Sequence, residues 1–120
     1  MSVREWRAVS VLLTLAACSS SGASPVPGGD PARGARTIAT MGCGACHQIR
    51  GIPGASGLVA PPLDNIAARG LLAGEIPNTP ENMVKWIRDP QAIEPATAMP
   101  NLGIGDQGAR DIVAYLYTLH

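Results

Sequence analysis

The strongest constraint on this chain is the segment Cys-Gly-Ala-Cys-His at residues 43–47, where a histidine directly follows two closely spaced cysteines. On a helical turn the two thiols project toward neighbouring positions, and His47 lies one turn after Cys43. A structural zinc site needs about four ligands, and the only other cysteine and histidine are Cys18 and His120. A redox dithiol does not need the histidine. The motif therefore predicts one covalent haem, with two thioether bonds and His47 as an axial iron ligand.

The second axial ligand has few candidates in the sequence. Met41 is too close to the motif to reach the opposite porphyrin face, and Met83 falls on the apolar side of a predicted helix. His120 ends the last predicted helix, where solvent exposure is expected. Met99 lies between two prolines in residues 94–100, which favour an extended segment across the other face of the haem. We predict Met99 as the ligand; the alternative is a buried methionine that only fills space.

The composition agrees with a cofactor in the core. The chain has no phenylalanine and only two tryptophans and two tyrosines, so large aromatic side chains cannot fill its interior. A flat, mostly apolar porphyrin would supply that surface, although small alanine-rich helical domains without cofactors also exist. Nine basic and nine acidic residues give no support for nucleic-acid binding. No catalytic triad, phosphate loop or informative carboxylate pair is found, so we expect an electron carrier and not an enzyme.

The N-terminus carries the pattern of an export signal. Two arginines precede an apolar run at residues 9–17 that is too short to span a bilayer, which predicts a signal peptide at residues 1–17. The sequence Leu-Ala-Ala before Cys18 resembles a bacterial lipoprotein signal, so we expect Cys18 to be acylated; the alternative is an ordinary signal peptide. Residues 18–29 are small and polar and predict a flexible linker. The expected location is the periplasmic side of a bacterial membrane, lipid-anchored or alternatively soluble.

Each cysteine then has a predicted use. Cys18 takes lipid, Cys43 and Cys46 take haem, and no thiol remains for a disulfide.

The apolar pattern and the helix caps predict an all-α domain over residues 30–120. Asp30, followed by Pro31, is expected to cap a helix that runs to the haem motif. Thr79 begins a second helix that ends before Pro90. The last helix carries one apolar stripe that is expected to be core: Ala109, Ile112, Val113, Leu116 and Leu119.

Residues 30–120 resemble a class I cytochrome c. The similarity rests on residues 43–47 and on residues 77–90 and 97–100, which resemble the cytochrome domain fused to subunit II of some bacterial haem-copper oxidases. The resemblance implies helices packed around one haem c, single-electron transfer, and a monomer. It implies redox partners such as a terminal oxidase or a quinol-cytochrome c reductase. Two alternatives stay open: a haem-based gas-binding or sensor domain, and a fixed electron-transfer subunit of an oxidase or reductase complex.

The same resemblance assigns roles to five further residues around the haem. The Pro61 carbonyl would accept a hydrogen bond from the axial imidazole. Arg69 would reach a haem propionate, and Thr97 would offer its hydroxyl to a propionate or to the distal network. Trp86 would pack against the distal haem face. Asn78 falls near a propionate donor position that many relatives fill with tryptophan.

Glycines in two places carry expectations about contacts. In relatives, a glycine at the position of Gly34 lets the terminal helices cross closely. The glycine-rich loop at residues 51–57 has no charged side chain and would cover one side of the haem. The loop is therefore a candidate partner surface, with a solvated loop as the alternative.

Overall fold

The structure, a computed structural model, describes residues 24–120. Four helices dominate this part of the chain: α1 Pro31–Met41, α2 Pro80–Arg88, α3 Pro90–Ile93 and α4 Asp106–Leu116. The two strands, β1 Leu71–Leu72 and β2 Ile76–Pro77, form one short antiparallel hairpin. The predicted all-α fold is confirmed, and the hairpin is a small addition to it.

The residues that flank helix α1 explain where it begins and where it ends. The Asp30 carboxylate accepts a hydrogen bond of 2.8 Å from the amide of Arg33, and a proline follows the cap. The helix stops at Gly42, whose φ of 76° is left-handed and therefore suits glycine. This turn delivers the chain directly into the short 3₁₀ turn Cys43–Ala45, so α1 leads to the haem motif as predicted.

A single residue separates helices α2 and α3. The Thr79 hydroxyl accepts a hydrogen bond from the amide of Asn82 and caps α2, as the sequence predicts. Asp89 separates the two helices and caps α3 through the amide of Ala92. Pro90 cannot donate to the preceding turn, which explains why α2 ends before it.

Helix α4 crosses α1 at very short range. All five residues of the predicted apolar stripe are buried, with Ala109 and Val113 completely inaccessible, although α4 ends at Leu116, before Leu119. At the crossing, a Cβ atom on Gly34 would overlap the carbonyl oxygen of Asp111. Only glycine permits this approach, which confirms the predicted role of Gly34.

One buried carboxylate fastens this crossing. Asp111 is 3% exposed and pairs with Arg33, whose Nε donates over 2.8 Å. The amide of Asp30 and the side chain of Gln107 donate to the same carboxylate, at 2.8 and 2.9 Å. The hydrogen bond from Arg33 is the largest influence on the group, and the pKa of Asp111 falls to about 2 from an ordinary 3.8.

The folded part of the chain begins before residue 30. Val26 is 1% exposed and belongs to the hydrophobic core, and the side chain of Gln107 donates 2.7 Å to the carbonyl of Gly28. The predicted flexible linker at residues 18–29 is therefore wrong for its last four residues, which are held by the burial of Val26, by the bond from Gln107, and by a bond of 3.0 Å from the amide of Gly29 to the carbonyl of Val26. The predicted signal peptide and Cys18 lie outside the described residues.

None of the helices in residues 24–120 combines the length and the apolar character needed to cross a membrane.

Candidate haem site

A cavity lies at the centre of the helices, and it is almost entirely apolar. Together with the solvent space at its open mouth, the cavity measures about 630 Å³. Helices α1, α2 and α4, the haem motif and the segment after α3 all contribute to its walls. The lining residues are Ile38, Cys43, His47, Ile49, Leu63, Ile66, Leu72, Met83, Trp86, Ile87, Met99, Leu102, Ile104, Ile112 and Leu116. Apart from His47, the lining has no charged, amide or hydroxyl side chain, so the cavity suits a large, mostly apolar ligand.

The imidazole of His47 is held in one orientation at this wall. Its Nδ1 lies 2.7 Å from the carbonyl oxygen of Pro61. A carbonyl can only accept, so Nδ1 carries the hydrogen and donates it. Nε2 is then the unprotonated nitrogen of the neutral ring and is free to bind iron. The structure thus places Pro61 where its predicted role requires.

The two cysteines of the motif are both free thiols. Cys43 lines the cavity, and burial raises the pKa of its thiol. A redox-active dithiol instead depends on a lowered pKa, so this arrangement argues against thiol-disulfide chemistry. Within residues 24–120, no three histidine, cysteine or acidic side chains cluster closely enough to hold a metal ion.

Met99 reaches the cavity from a segment that is braced on both sides. Its amide donates 3.2 Å to the hydroxyl of Thr97, and its carbonyl accepts a bond of 2.8 Å from the side chain of Gln91. Thr97 therefore contacts the Met99 backbone, and its predicted bond to a propionate or distal network stays a prediction. Nothing in the sequence pattern singles out Gln91, because its partner is a backbone carbonyl eight residues away. Met83 also lines the cavity and is 1% exposed, consistent with its reading as core.

These residues fit a covalent haem. The cavity is apolar, two free thiols stand three residues apart, an imidazole presents Nε2, and a thioether sulfur belongs to the same lining. This donor set matches what thioether attachment and two axial ligands need. His47 and Met99 would hold the iron, and Cys43 and Cys46 would hold the porphyrin.

Two residues predicted to lie around the haem edge, Trp86 and Arg69, differ in whether they line the cavity. Trp86 lines the cavity, in agreement with the aromatic contact expected of it. Arg69 is partly buried and donates to the carbonyl of Pro62, so its contact with a propionate stays a prediction.

Asn78 acts as a brace between backbone segments. Its amide nitrogen donates to the carbonyls of Ile66 and Arg69, at 2.7 and 2.9 Å. Both amide hydrogens are thereby used, which argues against the expected role of Asn78 as a propionate donor. Its Oδ1 is buried and has no hydrogen-bond partner among the described residues.

Comparison with known proteins agrees with this site. The cytochrome c family model matches residues 31–120, three quarters of the chain. Cytochrome c oxidase subunit 2 of Alkalihalophilus pseudofirmus is 31% identical over 88 residues, which make up 72% of this chain and 25% of that protein. The chain thus spans about a quarter of the length of this relative. The chain belongs to the cytochrome c family, whose members carry covalently bound haem c and transfer electrons.

Proposed function

We propose that this protein is a lipid-tethered, monohaem electron carrier on the periplasmic side of a bacterial membrane. In this proposal Cys43 and Cys46 would hold the haem, and His47 and Met99 would bind its iron. The single observation that carries the proposal is that His47, with Nε2 free, and Met99 line the same apolar cavity. With two protein ligands the iron would have no open position for a substrate, which suits outer-sphere electron transfer.

Haem c supplies a one-electron change at iron. The protein's own contribution is to hold the ligands still. The Pro61 carbonyl fixes the ring of His47, and Gln91 and Thr97 brace the backbone of Met99. Ligands held in this way would keep reorganisation small when the haem is oxidised or reduced. The apolar lining keeps water away from the site.

Two observations support a membrane-bound respiratory setting. The relative with which the chain shares 31% identity is a cytochrome c oxidase subunit, which favours partners such as a terminal oxidase or a quinol-cytochrome c reductase. The signal-like N-terminus and Cys18 favour a lipid anchor. Because Val26 is packed into the core, the eight residues from Cys18 onward set the tether, which reaches at most about 29 Å. The domain would stay close to the membrane.

The axial ligands are tested by a pair of matched methionine variants. In the oxidised, haem-loaded protein, a weak charge-transfer band at the red end of the spectrum reports sulfur–iron ligation. We expect Met99→Leu to abolish this band and to let the ferrous protein bind carbon monoxide. Met83→Leu, which changes another methionine of the same cavity at similar volume, should keep the band. Loss of the band in Met83→Leu alone would contradict the assignment, and rapid carbon monoxide binding by the wild type would favour a gas-binding domain.

The anchor is tested separately. Mass spectrometry of the N-terminus of the mature protein should find acyl chains on Cys18, and Cys18→Ser should leave the protein soluble after cell fractionation. An unacylated mature protein that fractionates without membranes would contradict the tether and leave the haem assignment untouched.

A further inference from the structure

The loop after the haem motif is packed rigidly against that motif. The amide of Gly57 donates 3.0 Å to the carbonyl of Gly44, and the amide of Ala60 donates 2.9 Å to the carbonyl of Cys46. A Cβ atom on Gly57 would overlap the carbonyl oxygen of Ala45, so the two backbones lie in direct contact. Residues 57–60 are therefore fixed in position beside the haem attachment.

Two apolar side chains stand out from this fixed loop. Leu58 is 83% exposed and Val59 is 78% exposed, and they lie between the two hydrogen bonds that tie the loop to the motif. We call these two side chains the loop patch. The apolar character of these two adjacent residues does not stabilise the fold, because neither side chain contributes to the core. A rigid loop also loses little conformational entropy when a partner covers it.

The loop that carries the patch has no charged side chain of its own. Of the charged residues next to it, Arg50 pairs with Asp64, and Arg69 donates to the carbonyl of Pro62. No acidic or basic side chain occurs in residues 51–63, and the described residues carry seven basic and eight acidic side chains. A strongly charged partner face would lose its hydration here and find no opposite charge to replace it. The surface therefore matches a partner face that is itself apolar and uncharged.

We propose that the loop patch, Leu58 and Val59, is the surface on which this protein docks a one-electron redox protein with an apolar, uncharged docking face. The proposal rests on the proposed electron-carrier function. In the docked pair one electron passes between the partner's redox centre and the haem iron, so that one is oxidised as the other is reduced. No bond forms or breaks and no proton moves. The backbone of Cys46 touches the loop that carries the patch, which brings the partner next to the covalent attachment.

The test uses the haem-loaded protein and a gold electrode coated with a methyl-terminated alkanethiol, which imitates an apolar, uncharged face. We expect rapid electron exchange by the wild type that does not change with ionic strength. The double variant Leu58→Ser with Val59→Ser should exchange about tenfold more slowly, because it loses the burial of two apolar side chains. The control Leu71→Ser, at an exposed leucine of the β1–β2 hairpin, should match the wild type.

The other outcomes each overturn the proposal. Equal rates for the double variant and the wild type on the methyl surface would remove the loop patch as a docking surface. Faster exchange on a carboxylate-terminated coating would indicate a charged partner. If the wild type sediments as a dimer and only the double variant does not, the patch binds a second copy of the chain. If the wild type binds phosphatidylcholine vesicles and only the double variant does not, the patch binds lipid. If ascorbate cannot reduce the wild type, the proposed electron-carrier function fails. If ascorbate reduces the wild type and all variants equally, that function stands, and slow or unchanged exchange at the electrode bears on the docking proposal alone.

Discussion

Replacing Asp111 by asparagine removes the buried charge that fastens helices α1 and α4. The pKa of Asp111 is about 2 in the folded protein against 3.8 as an ordinary value, and this difference corresponds to roughly 2.4 kcal/mol of stability. Arg33 is half exposed, so solvent weakens the pair. We therefore expect Asp111→Asn to lower the free energy of unfolding by about 1–2 kcal/mol at pH 7.

The pH dependence of this effect has a definite sign. A carboxyl group with a lowered pKa stabilises the fold above its ordinary pKa, and the contribution is lost as the pH falls through the lowered value. The gap between the wild type and Asp111→Asn should thus be constant near neutral pH and shrink progressively from about pH 5 to pH 2. Denaturant titrations of the two haem-loaded proteins at a series of pH values measure this difference in the free energy of unfolding.

A matched control keeps this reasoning falsifiable. Asp106 pairs with Arg88 and Arg110, but its side chain is 49% exposed. Asp106→Asn should therefore cost less than about 1 kcal/mol. The reasoning about Asp111 fails if both variants unfold alike, or if the deficit of Asp111→Asn stays unchanged down to pH 2.

Three further variants test other contacts. Gly34→Ala should lower the free energy of unfolding by about 1–3 kcal/mol or more, because the added methyl group overpacks the helix crossing. The control Gly70→Ala has open space around it and should change this free energy by no more than about 0.5 kcal/mol. Equal thermal melting of the two variants would contradict the close crossing. Gln91→Ala should leave Met99 less firmly held, seen as a weaker sulfur–iron band and faster carbon monoxide binding, and an unchanged band would show that the brace is dispensable. Val26→Ala should cost about 1–3 kcal/mol in denaturant titration, and no loss would mean that residues 26–29 are not part of the fold.

The sequence is informative where a residue acts through its neighbours along the chain. Asp30 and Thr79 cap their helices with the side chain that the pattern predicts, because capping depends only on amides two or three residues ahead. The stripe on α4 follows from helical periodicity alone. The motif at residues 43–47 has a spacing that few other sites share, so the cofactor could be predicted before the cavity was seen.

Contacts between distant segments could not be read in the same way. Val26 looks like a minor residue of a polar linker, and only the folded structure brings it against the core. Arg33 meets Asp111 from 78 residues away, and no local pattern marks the pair. The resemblance places Asn78 near a propionate, yet its amide hydrogens go to two backbone carbonyls. A change from tryptophan to asparagine alters which partners a side chain needs, so position alone does not transfer the role.

The most direct test of the account is the mass of the tryptic peptide at residues 37–50 from the mature protein. This peptide contains both motif cysteines, because trypsin cuts after Arg36 and Arg50. The account predicts that it carries the mass of one haem, which acid–acetone extraction does not remove, since thioether bonds are covalent. An unmodified peptide with two thiols open to alkylation would contradict the central claim.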